Sequence, residues 1–205
     1  VLFASRVLNL SPAPYYYAMR YFRELSAQTA DAEWSSIAPP IPPAALDELQ
    51  RWIATARKNV EIPTQDEVVE GAPDVLIMTD ASAWGMGAII YQRGGTTSTV
   101  SLPWSSFPDA AHQRTDSSVV AETLAVAKAL CLALQPAVHK TCKIVSDHLP
   151  LVYAGQRGWA KCFVYNRLLA TIGACFPSVR FEWAYVRGPE NLADPLSRAG
   201  VAMHA

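Results

Sequence analysis

The spacing of apolar and polar positions changes near residue 71. Before that point, apolar side chains recur every three or four residues, which predicts amphipathic helices. The first covers SPAPYYYAMRYFRELSAQTA, with Ser11 and Pro12 as cap and first-turn residues. The run APPIPP predicts a stiff linker to a second helix, whose expected apolar face comprises Leu46, Leu49, Trp52, Ile53 and Ala56. We therefore predict a helical segment with a proline-rich linker over residues 1–70.

Beyond residue 71, short runs of β-forming residues alternate with turn signals. DVLIMTD predicts a strand, and WGMGAIIYQRGGTTSTVSLPW predicts a hairpin that turns at Arg93-Gly94-Gly95. CKIVSD and SVRFEWAYV predict two more strands, with helices between them and a short helix from near Pro189 to the end. This order predicts an α/β domain over residues 71–205. Its mixed five-stranded sheet would have three antiparallel strands, then parallel strands, with helices on both faces.

Composition excludes some classes of protein. With 51% hydrophobic residues the chain can form a buried core, so global disorder is not expected. The most apolar stretch, VVAETLAVAKALCLALQPAV, contains Glu122 and Lys128, so we expect a buried helix and no membrane partner. The start lacks the basic region of a secretory signal, which favours a soluble protein inside the cell, in the cytoplasm or the nucleus. The four cysteines lack CxxC spacing and are interpreted as reduced core thiols, with a zinc site or a disulfide framework as the alternative.

Charge is unevenly distributed although the net formal charge is only −1. Residues 116–205 carry nine Lys and Arg against six Asp and Glu, so the C-terminal part is net basic. That part nevertheless contains acidic residues in apolar surroundings. A metal-dependent nuclease requires carboxylates that bind the metal, surrounded by cationic side chains that bind the phosphates of the substrate. The alternative explanation of this charge distribution is ordinary scatter of surface charge.

Four carboxylates stand at positions that favour chemistry. Asp80 and Asp147 each end a predicted strand, where open α/β sheets bind ligands. Glu122 interrupts an apolar helix, where a glutamate is costly unless something compensates its charge. Asp194 lies just inside the last predicted helix. Magnesium prefers such oxygen ligands, and two ions about 4 Å apart promote phosphodiester hydrolysis.

Each carboxylate alone also has an ordinary structural explanation. Asp80 and Asp147 are typical cap residues for the turn and the helix that follow them. Glu122 is compatible with a partly exposed helix position, and Asp194 with a first-turn acid that interacts with the helix dipole. The nuclease interpretation therefore depends on the four occurring together, in this order and on these elements.

Four segments carry a resemblance to a known family. TDASAWGMGAII resembles the opening strand of retroelement ribonucleases H, and SSVVAETLAVAKAL and KIVSDHLPLV resemble their glutamate helix and second aspartate strand. GPENLADPLSR resembles the tail of these domains in tyrosine-recombinase-type and hepadnavirus-like reverse transcriptases. Together the segments cover most of residues 74–199. The resemblance implies a ribonuclease H domain that binds two Mg²⁺ ions, for which Mn²⁺ substitutes.

The family's roles transfer to matching positions of this chain. The resemblance implies that Asp80 bridges both ions, that Asp194 completes the site on the nucleophile side, and that Glu122 and Asp147 complete the other. It also places Tyr185 where many members have a histidine, which implies altered turnover. Residues expected to contact nucleic acid are Gly85 and Gly87, which would keep their strand bare, together with Arg157, Trp159, Lys161, Tyr185, Arg187 and Asn191.

The N-terminal segment carries a second resemblance. VLFASRVLNLSPAPYYYAMRYF and LDELQRWIATARKN resemble the thumb-to-connection stretch of retroelement reverse transcriptases, and a simple helical pair packed on the sheet is the alternative. The polymerase motif Tyr-x-Asp-Asp does not occur in the chain. The resemblance implies two partners, an RNA–DNA hybrid and the polymerase part of the same polyprotein, and a location that includes the retroelement particle.

Three functions are compatible with these features. The first is an endonuclease that cleaves the RNA strand of RNA–DNA hybrids during reverse transcription. The second is a hybrid-binding module of a reverse transcriptase that has lost most or all of its catalysis. The third is a DNA-cleaving nuclease on the same fold.

Overall fold

A computed structural model describes residues 12–28, 39–58, 71–107, 117–134 and 140–199. Within these ranges the chain forms five strands, six α-helices and three short 3₁₀ helices. The helices and strands in chain order are α1 (Tyr16–Gln28), α2 (Pro43–Lys58), β1 (Val75–Ala81), β2 (Gly85–Gln92), β3 (Thr96–Pro103), α3 (Ser118–Ala133), β4 (Lys140–Ser146), α4 (Leu149–Arg157), α5 (Phe163–Cys175), β5 (Val179–Tyr185) and α6 (Asp194–Arg198).

The chain separates into two compact units. The first comprises Val1–Val69 and Gly158–Ala170, and the second comprises Glu70–Arg157 and Thr171–Ala205. The sequence predicts a domain boundary between residues 70 and 71. Residues 59–70 lie outside the described residues, so this boundary stays a prediction.

In the first unit, α1 contacts α2. Glu48 of α2 is buried and accepts a hydrogen bond from the backbone N–H of Ala18, at 2.8 Å. Burial raises the pKa of Glu48, and this hydrogen bond opposes the rise. The prediction that Leu46 and Ile53 lie on the buried face of α2 is wrong, since both side chains are exposed. The helix buries Ala45 and Glu48 instead.

The second unit is built on a sheet with strand order β3-β2-β1-β4-β5. β1 pairs antiparallel with β2, and β2 with β3, whereas β4 is parallel to both β1 and β5. The hairpin turns at residues 93–95 as predicted, and Gly94 and Gly95 supply its positive φ angles of 112° and 100°. The predicted mixed five-stranded sheet, with three antiparallel strands followed by parallel strands, is confirmed.

The core of this unit lies between the central strands and α3. Every second residue of β1 from Val75 to Thr79 is buried, and six consecutive residues of β2 are buried. α3 packs against both strands, with Ala125, Val126 and Ala129 fully buried. The last helix begins later than predicted, because Gly188–Glu190 forms a 3₁₀ turn and α6 starts only at Asp194.

The cysteines are only partly as predicted. All four are free, as expected of reduced thiols. Cys142 is buried, and burial raises the pKa of its thiol to about 12. Cys131 and Cys175 are exposed, so the prediction of a core position is wrong for them. Among the helices that the structure describes, none has the length and apolar character needed to span a membrane.

Candidate metal centre

Asp80 and Asp147 meet because their strands are parallel neighbours. Asp80 is the penultimate residue of β1, and Asp147 directly follows β4. The register pairs Thr79 with Ser146, so the next residues, Asp80 and Asp147, lie side by side at the same edge of the sheet. Asp80 is only 4% exposed, whereas Asp147 is partly exposed. The parallel pairing therefore brings together two carboxylates that lie 67 residues apart in sequence.

Glu122 reaches the same point from α3. The side chain is 6% exposed, in a helix that also buries Ala121, Ala125 and Val126. Burial, and then the charges of Asp80 and Asp147, raise the pKa of Glu122 to about 8, while the backbone N–H of Ala81 opposes the rise. Ligand oxygens of Asp80, Glu122 and Asp147 all lie within 4.8 Å of one another. The structure thus unites three of the four predicted carboxylates.

Two oxygens of this cluster are buried without a protein partner. Asp80 Oδ2 and Glu122 Oε2 accept no hydrogen bond from any residue that the structure describes. A buried carboxylate oxygen without a partner costs free energy, and a like charge nearby adds to the cost. Burial, followed by the charges of Asp147 and Asp194, also raises the pKa of Asp80. A divalent cation would bind both oxygens and neutralise the cluster, so these residues fit a hard metal ion.

Asn191 has a different place from the one predicted. Instead of facing nucleic acid, its side chain is 3% exposed and lies between the carboxylates. Its Nδ2 donates to the Thr79 carbonyl at 2.9 Å and lies 3.4 Å from Asp80 Oδ1 and 3.3 Å from Asp147 Oδ1. Its Oδ1 accepts the backbone N–H of Ala193 at 3.1 Å. Asn191 is therefore a positioning residue, and its prediction as a nucleic-acid contact is corrected.

Asp194 lies beside the cluster but outside the group that meets within 4.8 Å. It is the first residue of α6, and its Oδ1 accepts hydrogen bonds from Arg198 Nη2 at 2.6 Å and Nε at 3.1 Å. Its charge nevertheless contributes to the raised pKa of Asp80. The role of Asp194 as a fourth metal ligand therefore stays a prediction.

Gly85 and Gly87 of β2, which the sequence predicts as nucleic-acid contacts, are covered by protein backbone. A Cβ atom on Gly87 would lie 2.3 Å from the Ala193 carbonyl oxygen and 2.5 Å from the Ser197 amide nitrogen. A Cβ atom on Gly85 would lie 2.3 Å from the Leu102 carbonyl oxygen. Both glycines are required by close packing within the protein, so the prediction of a bare strand at this place is corrected.

Tyr185 and Arg187 lie near Asp147. Tyr185 ends β5 opposite Ser146, the residue before Asp147, and is 49% exposed. Arg187 is exposed, and a Cβ atom on the next residue, Gly188, would lie 3.3 Å from Asp147 Oδ2. Tyr185 and Arg187, which the sequence predicts as nucleic-acid contacts, thus lie at the edge of the sheet where the carboxylates meet.

His148 directly follows Asp147. Burial lowers the pKa of His148, and the charge of Asp147 opposes this change.

The remaining predicted contacts lie in two places. Arg157 ends α4, is exposed, and places its guanidinium 5.7 Å from the centre of the Tyr153 ring. Trp159 and Lys161 belong to the first unit, where Trp159 is half-buried and Lys161 is exposed. Nucleic-acid contact by these residues stays a prediction.

Comparisons with known proteins give distant likenesses. No protein-family model matches the chain, and no curated protein matches it significantly. The N-terminal RNase H domain of a Mycobacterium tuberculosis protein, solved as a fusion with maltose-binding protein, shares 16% identity over 65% of this chain and 100% of its own, with a TM-score of 0.41. RNase H1 from Halobacterium salinarum NRC-1 shares 12% identity over 65% of this chain and 99% of its own, with a TM-score of 0.46.

A viral structure is also similar. A foamy viral protease–reverse transcriptase in complex with double-stranded DNA shares 12% identity over 81% of this chain and 28% of its own, with a TM-score of 0.33. These likenesses are too distant to bear on function, which depends on the geometry of the carboxylates.

Proposed function

We propose that this chain is a metal-dependent endonuclease that hydrolyses the RNA strand of RNA–DNA hybrids. The observation that carries the proposal is the convergence of Asp80, Glu122 and Asp147 within 4.8 Å at one edge of the sheet. The unpartnered oxygens of Asp80 and Glu122 distinguish this cluster from an ordinary ion-pair network, because no described group of the protein hydrogen-bonds to them.

The chain's own residues supply the ligands and their alignment. Asp80, Glu122 and Asp147 would hold Mg²⁺, or Mn²⁺ in its place, and Asp194 would join them as the fourth ligand. When bound, two such ions polarise a phosphodiester, activate water and stabilise the leaving oxygen. Asn191 holds Asp80 and Asp147 from the protein side, which limits their movement apart. Pre-aligned ligands of this kind reduce reorganisation during hydrolysis.

Cationic groups near the cluster suit a phosphate-bearing substrate. Arg187 is exposed close to Asp147, and Arg198 adjoins Asp194. Without cations the carboxylates would repel a nucleic-acid backbone, so nearby guanidinium groups and bound metal both favour its approach. Tyr185 is exposed at the same edge and offers an aromatic ring for contact with sugar or base.

The choice of hybrid as substrate rests on sequence resemblance. The segments around Asp80 and Asp194 resemble those of retroelement ribonucleases H, and this supports action during reverse transcription. The corresponding partners are an RNA–DNA hybrid and the polymerase part of the same polyprotein. The corresponding location is inside the cell, in the cytoplasm, the nucleus or a retroelement particle. For residues 1–70 we propose a thumb- or connection-like role beside the polymerase.

The test is a gel assay with Mg²⁺ or Mn²⁺ on matched RNA–DNA hybrid, double-stranded RNA and double-stranded DNA. We expect cleavage of the RNA strand of the hybrid alone. Asp80→Asn should abolish cleavage because it removes a negative ligand without changing shape. Glu182→Gln is the matched control, since Glu182 is an exposed acidic residue on β5 and outside the cluster.

Each other outcome contradicts part of the proposal. Cleavage that survives Asp80→Asn would overturn the metal assignment. Tight binding of hybrid without cleavage under either metal would instead support a binding module. Cleavage of double-stranded DNA would identify a DNA-cutting enzyme on the same fold.

A further inference from the structure

Trp84 is an exposed aromatic side chain that follows the end of β1 at which Asp80 lies. It lies four residues after Asp80, in the turn that joins β1 to β2. The side chain is 61% exposed, although tryptophan is usually well covered in folded proteins. Single exposed apolar residues are common, so exposure alone assigns no role.

The backbone that carries Trp84 is fixed from several sides. Ser82 Oγ accepts hydrogen bonds from the N–H groups of Trp84 at 3.1 Å and Gly85 at 3.3 Å, and donates to the Ser197 carbonyl at 2.7 Å. Trp104 is buried; its indole N–H donates to the Ser82 carbonyl at 2.9 Å, and its backbone N–H donates to Trp84 O at 3.1 Å. The turn therefore presents an exposed ring on a fixed base, which lowers the ordering cost of binding.

An open cleft lies at this turn. It measures about 390 Å³ and is lined by Ser82, Ala83, Trp84 and Arg198. Arg198 also contacts Asp194, with Nη2 and Oδ1 2.6 Å apart, which links the cleft to the first residue of α6. Its volume is at the lower end of the range for small-molecule sites, about 300–1,000 Å³. A single nucleobase fits such a space.

We propose that Trp84 is a stacking platform for one unpaired nucleobase of the substrate, with Arg198 beside it. The indole face matches the flat apolar face of a base, and the guanidinium matches the negative charge of the nucleotide. This role of Trp84 rests on the proposed function, because it requires that the nucleic-acid strand bound in the cleft is the same strand that reaches the carboxylates. Within a continuous duplex each base is covered on both faces, so the platform selects substrates with an unpaired nucleotide.

This assignment predicts substrate preference. Hybrids with a single-stranded extension or a gap should bind more tightly than blunt hybrids of equal paired length. The difference should depend on the aromatic ring at position 84, because stacking is sensitive to its loss and tolerant of base identity.

The experiment measures binding by fluorescence anisotropy, with the full chain in EDTA so that cleavage does not interfere. The probes are a blunt RNA–DNA hybrid, the same hybrid with a single-stranded DNA extension, and the single-stranded DNA alone. The variants are Trp84→Ala and Trp84→Phe. Leu132→Ala is the matched control, because Leu132 is 50% exposed and lies ten residues after Glu122 on α3, about 15 Å along the helix. Circular dichroism checks that each variant is folded.

We expect Trp84→Ala to weaken binding of the extended hybrid about tenfold and to leave blunt hybrid unchanged. Trp84→Phe should retain most of the affinity, and Leu132→Ala all of it. An equal loss on blunt and extended hybrids, no loss on either, or no binding to any probe would each overturn the proposal. Failure of the proposed function is distinguishable from this, because a chain that binds extended hybrid through Trp84 and cleaves nothing would disprove only the nuclease activity.

Discussion

The side-chain amide of Asn191 donates a hydrogen bond to Asp147, with Nδ2 and Oδ1 3.3 Å apart. The same nitrogen lies 3.4 Å from Oδ1 of Asp80, so one neutral group is shared by two carboxylates. Because two carboxylates at close range repel each other, a donor between them stabilises their approach. Asn191 thus does from the protein side part of what a cation would do from the open side.

Replacement of Asn191 should affect stability and metal affinity together. Asn191→Ala leaves the Thr79 carbonyl and two carboxylate oxygens without their donor, which should cost about 1–3 kcal/mol of unfolding free energy. Asn191→Asp should be worse in metal-free protein, because it adds a third close negative charge. Urea unfolding in EDTA and calorimetric titration with Mg²⁺ measure the two effects. Asn191 would have no positioning role if both variants kept the parent's Mg²⁺ affinity.

The unfolding free energy should depend on pH because Glu122 titrates at different pH values in the folded and unfolded states. Its carboxyl has a pKa of 4.5 when unfolded and about 8 when folded, so the folded state holds the proton more firmly. The stabilisation from this group is complete below pH 4.5 and is lost as the pH rises through 8. In EDTA, the unfolding free energy of Glu122→Gln should therefore rise relative to the parent between pH 5 and 8.5, by a few kcal/mol. A difference that is constant with pH would contradict the raised pKa.

Added Mg²⁺ should raise the thermal midpoint of the folded protein. A ligand present at 100 times its dissociation constant stabilises by about 2.7 kcal/mol, which corresponds to roughly 5–10 °C for a chain of this size. The effect should be larger at pH 8.5 than at pH 6, because binding requires ionised Glu122. Asp80→Asn should remove most of the shift, and Glu182→Gln should leave it intact. A shift that Asp80→Asn does not reduce would place the ion elsewhere.

Gly87 should tolerate no side chain. The Cβ atom of Gly87→Ala would meet the Ala193 carbonyl and the Ser197 amide at 2.3 and 2.5 Å, so α6 would have to move away from β2. We expect a loss of at least about 2 kcal/mol of unfolding free energy, together with weaker catalysis because α6 carries Asp194. Gly173→Ala is the control, since Gly173 lies in α5 with open space around it and should gain up to about 1 kcal/mol. Equal stabilities of the two variants would refute the packing argument.

The order of elements and three carboxylates was predictable because local patterns determine them. The run of β-forming residues in β1, the turn glycines after β2, and a glutamate in an apolar helix are visible within short windows. The strand ends then bring Asp80 and Asp147 together through parallel pairing, which follows from topology.

The sequence does not show which polar groups turn inward. The sequence predicts Asn191 as a nucleic-acid contact, whereas its burial depends on contacts with residues 44 and 111 positions away. Gly85 and Gly87 suggested open space, but β3 and α6 fill it. The role proposed for Trp84 depends on its exposure, and no local pattern distinguishes an exposed ring from a buried one. These features depend on tertiary packing.

The position of Asn191 also has a consequence for how the protein is made. It lies 111 residues after Asp80, so the ribosome synthesises all three clustered carboxylates before the donor between Asp80 and Asp147. During translation, β1, α3 and β4 are therefore complete while the carboxylate pair still lacks Asn191. A nascent chain that stops before residue 191 has the acidic cluster without its donor. The ordered geometry of the carboxylate cluster should accordingly appear only after this late segment has been made and folded.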